Sequence, residues 1–140
     1  MNKNIAIETI QKPYDTSSIE VKAPFTCLLY SNQENVGNDE MMLIANWLVL
    51  SGCRYALCAG LKCKEWHDTI DTADITRDPT IQNLVMTTSH KNEPIEDVVW
   101  SWLNLTNFED ITFENYLALL IDDSKTIEEK IRQAIRNNRL

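Results

Sequence analysis

Four short apolar runs divide the chain. Phe25 to Tyr30, Arg54 to Ala59, Leu84 to Thr88 and Tyr116 to Ile121 are each of strand length and carry little alternation. Strands covered on both faces have this appearance, because neither face needs polar side chains for water. Residues 4–10 alternate weakly (Ile5, Ile7, Thr9, Ile10) and could form an edge strand. Residues 11–24 hold Pro13, Asp15, Thr16, Ser17, Ser18 and Pro24, so a loop is expected there.

Helical patterns separate the runs. Asn38 can cap a helix whose first turn carries Asp39 and Glu40, and which runs through Leu50 to a left-handed cap at Gly52. A second helix is read from Lys62 to Ala73, with Cys63, Trp66, Ile70 and Ala73 as its stripe, and Asp78-Pro79 as a break. Pro94 sits in the first turn of a third, with Val98, Val99, Trp102 and Leu103 facing inward. Asn104 to Glu114 is a connection with room for a short helical turn. Thr126 and Glu129 make a capping-box pattern for a last helix, with Ile127, Ile131, Ala134 and Ile135 as its apolar stripe and Arg132, Arg136 and Arg139 towards its negative end.

Strands joined by single helices predict a three-layer α/β/α domain over residues 1–140, with about four parallel central strands and residues 4–10 as a candidate extra edge. The expected core includes Cys27, Leu29, Leu48, Leu57, Trp66, Val85, Trp102, Leu119 and Ile131.

Charge narrows the partners. The net charge is −8, and residues 71–140 carry −6 of it. An acidic surface repels phosphate backbones and anionic lipid, so neither nucleic acid nor membrane is expected as a direct partner. No apolar leader is visible, and Cys27, Cys53, Cys58 and Cys63 lie in or beside predicted core elements. Reduced thiols and a cytoplasmic location are therefore expected.

Cofactor fingerprints are missing. The glycines are Gly37, Gly52 and Gly60, so no phosphate-cradling loop can be written, and no cofactor or metal is expected. Zinc on Cys53, Cys58, Cys63 and His67 would match no common spacing. Cys63 with His67 could form a nucleophile–base pair at a helix N-terminus. Alternatively Cys63 packs under Trp66 as a small hydrophobe. If the sheet is parallel, Tyr30, Ser31, Asn32 and Glu34, then Ser89 and His90, then Asp122 and Asp123 converge on one edge, as a small-molecule site or a polar rim.

Two surfaces suggest partners. Glu65, Asp68, Asp71, Asp74 and Asp78 recur at three- and four-residue spacing and are read as one acidic side, with Trp66 or Trp47 as an apolar anchor if exposed. Met41 to Leu50 is apolar nearly all round, so either a neighbouring helix or a homodimer must cover it.

The C-x-x-W-H-D-x-x-D core (Cys63, Trp66, His67, Asp68, Asp71) resembles a stretch of some small uncharacterised bacterial α/β proteins. In size, acidity and lack of motifs the chain also resembles immunity proteins of contact-dependent inhibition systems. That resemblance implies a cognate toxin as partner and no catalysis. The expected function is a non-catalytic module that masks a basic toxin surface, such as a nuclease cleft, using Glu65, Trp66, Asp68, Asp71 and Asp74. The alternative is a small enzyme or ligand sensor at the sheet edge using Cys63 and His67.

Overall fold

The computed structural model describes residues 3–77, 84–107 and 110–138. In chain order its elements are β1 (Asn4–Ile10), β2 (Phe25–Ser31), α1 (Asn38–Ser51), β3 (Cys53–Gly60), α2 (Cys63–Arg77), β4 (Met86–His90), α3 (Ile95–Asn104), β5 (Asn115–Ile121) and α4 (Thr126–Asn138). The sheet order is β1-β5-β2-β3-β4, with every pairing parallel. The expected α/β/α architecture is therefore present, with residues 4–10 as a fifth, edge strand.

Crossover handedness explains the layers. Parallel crossovers are right-handed, so the direction of travel across the sheet selects the face. The steps β1 to β2, β2 to β3 and β3 to β4 all run the same way. Their connections, the loop 11–24, α1 and α2, share one face, where Tyr14 and Ile19 join the core of Met41, Leu48, Trp66 and Ile70. The step from β4 back to β5 runs the other way, so α3 lies on the opposite face and packs with α4. Along β5, Leu117, Leu119 and Ile121 face the first core, while Tyr116, Ala118 and Leu120 face the second. Two buried faces are why β2, β3 and β5 read as unbroken apolar runs. β4, expected as a fourth central strand, is instead the second edge strand, and none of its five residues is buried. All nine expected core residues are buried.

Element ends differ from the sequence reading in instructive ways. Gly37, not Asn38, is the N-cap of α1, and its N–H donates to Glu40 Oε1 at 2.9 Å. Asp123, not Thr126, caps α4: its carboxylate accepts the N–H groups of Ile127 at 3.0 Å and Glu128 at 2.9 Å. A carboxylate serves better than a hydroxyl there, since it takes two donors and meets the helix dipole with a full charge. α2 runs on to Arg77, and β4 begins at Met86, with Val85 buried just before it. The connection after α3 shows no helix among its described residues. Asp78-Pro79 and Arg139 lie outside the described residues.

The expected acidic side of α2 does not form one side. Three residues advance about 300° around a helix, so each step retreats by about 60°. Glu65 and Asp74 are thus half a turn apart. Glu65 and Asp68 are exposed, Asp71 is half-buried and Asp74 is buried. Asp74 Oδ2 accepts the Val85 N–H at 2.9 Å, and Oδ1 accepts Arg77 at 2.9 Å. Asp74 ties the end of α2 to the start of β4 and offers nothing to a partner. Asp74→Ala should cost about 1–3 kcal/mol, because a buried backbone N–H loses its acceptor. Urea denaturation measures it; a loss below 0.5 kcal/mol (on the order of surface changes) would contradict this role.

Candidate functional site

Because every strand is parallel, all of them end at the same edge, and each helix begins there. In open α/β sheets ligands bind outside the carboxyl ends of the strands, where the strand order reverses. Here that reversal lies between β2 and β5. The gap is closed: Asn32 donates its N–H to the Ile121 carbonyl at 3.0 Å. Above β5, Tyr14 donates its hydroxyl to Asp122 Oδ2 at 2.5 Å. Burial, the Asp122 hydrogen bond and the nearby carboxylates push the Tyr14 phenol far up, so it stays protonated. Asp122 and Asp123, read from the sequence as part of either a small-molecule site or a polar rim, are committed to Tyr14 and to the α4 cap.

A cavity of 230 Å³ opens next to the closed gap, over the ends of β2, β3 and β4. Tyr30, Asn32, Leu61, His90, Asn92 and Glu93 line it, with Ser31 and Gly60 at its base. Gly60 has φ +82°, and a Cβ there would stand 2.3 Å from the Ser31 carbonyl and 2.9 Å from the Tyr30 ring. Only glycine lets β3 turn this close to β2. His90 is held on both nitrogens: Nε2 meets the Thr88 hydroxyl at 2.8 Å, and Nδ1 meets Glu93 Oε2 at 3.0 Å. The carboxylate selects the Nδ1–H tautomer, leaving Nε2 to accept from Thr88. Tyr30, Ser31, Asn32 and His90 do converge as the sequence suggested.

The Cys63–His67 pair does not form. Cys63 is buried, while the His67 ring turns away, with Nδ1 3.0 Å from Asp68 Oδ1 and 3.6 Å from Asp71 Oδ2. Asp71 in turn accepts the Thr87 hydroxyl. All four cysteines are free and buried. Among the described residues no group of three or more His, Cys, Asp or Glu could hold a metal ion. Among the described residues, no helix is long and apolar enough to cross a membrane.

Trp66 is corrected as an anchor. It is 0% exposed, because position 66 belongs to the stripe that faces the sheet. Trp47 is partly buried against the same core. Of the apolar helix, Met41, Ile44, Ala45, Leu48 and Val49 are covered inside the domain, where α1 packs on the sheet and on α2. Leu43 and Leu50 stay exposed, at 58% and 75%. A larger open groove, 940 Å³, lies at the amino edge between β1, the start of β5 and residues 19–22. It faces away from the convergent strand ends.

The feature that sequence reasoning missed is the distribution of charge over the edge itself. Residues 11–15, 32–41, 61–66, 91–98 and 122–129, which follow the five strands and include the openings of the four helices, hold twelve carboxylates and five lysines, a net −7 of the chain's −8. Glu34, Asp39, Glu65, Glu96, Asp97 and Glu129 are exposed. Basic side chains close helices at the other end, Arg77 in α2 and Arg136 in α4. Part of this polarity offsets helix dipoles, but each N-terminus carries only roughly half a positive charge. Four of them balance about two of the seven.

A search of curated proteins finds no match to the chain. A family model described as a domain of unknown function, DUF7684, matches residues 5–138, and the chain belongs to that family.

Proposed function

We propose that this domain is a non-catalytic protein-binding module that masks the basic surface of a partner, as the cytoplasmic immunity protein of a bacterial toxin. The observation that carries this reading is the concentration of −7 on one edge of the sheet. A nuclease cleft must be positive to hold phosphates, so an acidic edge competes for it and steers fast association at low salt. The binding surface moves accordingly. Glu65 keeps its place, Asp68 and Asp71 flank the edge lower on α2, and Trp66 and Asp74 drop out. A homodimer through α1 would rest chiefly on Leu43 and Leu50.

Capture of the partner from the native host on immobilised protein, followed by association kinetics, tests this. The captured protein should be basic and toxic when expressed alone. Reversing Glu65, Glu96 and Glu129 to Lys should slow association at least about tenfold at low salt and flatten its salt dependence. The same variant loses about 1–3 kcal/mol of stability, from three first-turn charges. A partner bound equally fast by the reversed protein defeats the masking reading.

A further inference from the structure

We infer that the carboxyl-edge cavity seats one guanidinium group, the side chain of an arginine presented by the basic partner. The inference rests on the masking reading and names the anchor within it. The volume, 230 Å³, is below the range of about 300–1,000 Å³ that accepts drug-sized ligands, so the occupant is one long side chain rather than a metabolite.

The lining is built of acceptors. Asn32 and Asn92 offer amide oxygens, Tyr30 offers a hydroxyl oxygen, and Glu93 offers a carboxylate, with no lysine or arginine among the lining residues. The buried Ser31 hydroxyl is given to the Gln33 carbonyl at 3.1 Å and takes no part. The His90 protons do not compete with this. Nδ1–H is given to Glu93 Oε2, and Nε2 is occupied by Thr88. His90 therefore acts as a positioning residue that fixes the Glu93 carboxylate and leaves Oε1 for the ligand. The Tyr30 ring lies beside Gly60, where a Cβ would stand 2.9 Å from it, and it lines the cavity as an aromatic partner for a planar cation. Burial and then the Asp123 charge push the Tyr30 phenol up, so it remains a neutral hydroxyl. A planar, donor-rich cation matches a carboxylate, two amides and a ring better than a compact ammonium does.

Titration of the labelled protein with capped Gly-Arg-Gly, its citrulline analogue and Gly-Lys-Gly, read by amide NMR shifts, tests the assignment. The arginine peptide should give saturable shifts centred on Gly60, Leu61 and Asn92. Citrulline, isosteric but neutral, should bind about tenfold more weakly, and Glu93→Gln should cost the arginine peptide a similar factor. Tyr30→Ala should weaken it about fivefold. Equal binding of citrulline, or of lysine, overturns the guanidinium assignment. An oligo-arginine peptide separates this failure from that of the edge as a whole. If it binds wild type and Glu93→Gln equally while the tripeptide gives no saturable shift, the pocket falls and the acidic edge stands. If oligo-arginine does not bind, both fall.

Discussion

Raising the pH towards 12 should unfold the protein, with thiolates appearing in step with the loss of structure. Burial pushes Cys27 and Cys58 well above the ordinary thiol value of 9.0, and Cys53 up to about 12. All three lie in the core between the sheet and α1 and α2. Below pH 9 these thiols are protonated in both states, and their contribution to stability is complete. Above it the unfolded chain releases its protons and the native chain does not. Stability then falls by about 1.4 kcal/mol per pH unit for each thiol. Three of them remove about 4 kcal/mol per unit, against a total of about 5–15 kcal/mol for a domain. Tyr14, also raised, adds to the loss above pH 10. Circular dichroism and thiolate absorbance followed together under reducing conditions measure this. Ionisation of these three thiols near pH 9 with native dichroism would show that they are not sealed.

Truncating either fully buried tryptophan to Ala should cost about 3–5 kcal/mol. The two should part company as Phe. Trp102 donates Nε1 to the Thr26 carbonyl at 3.3 Å and meets the Tyr116 ring edge-on at 5.7 Å and 74°. Trp66 Nε1 finds no acceptor among the described residues. Trp66→Phe removes an unpaired buried donor along with volume, whereas Trp102→Phe also loses a hydrogen bond. Trp102→Phe should therefore be the costlier by about 1 kcal/mol. Guanidinium denaturation of the four variants decides it; equal Phe costs would mean that the Trp102 bond contributes nothing net.

The sequence by itself determined the elements and the class of fold. A strand buried on both faces and a helix buried on one leave local signatures, and burial is a local demand on composition. Hence Leu29, Leu57, Val85 and Leu119 could be named as core beforehand, and the convergence of Tyr30, Asn32 and His90 followed from a parallel sheet. The order of strands could not be read, because side-chain period says nothing about which strands are neighbours. It is decided by long-range pairing and by crossover handedness, which place β1 beside β5 and the loop 11–24 on the same face as α1 and α2. The same holds for the charge. Along the chain the carboxylates were visible as helix-start signals and as a row on α2. Helical geometry turned Asp74 inward and left Trp66 sealed against the sheet. Only the tertiary structure, by starting all four helices at one edge, gathered −7 there and set Glu93 over a cavity between strand ends far apart in sequence.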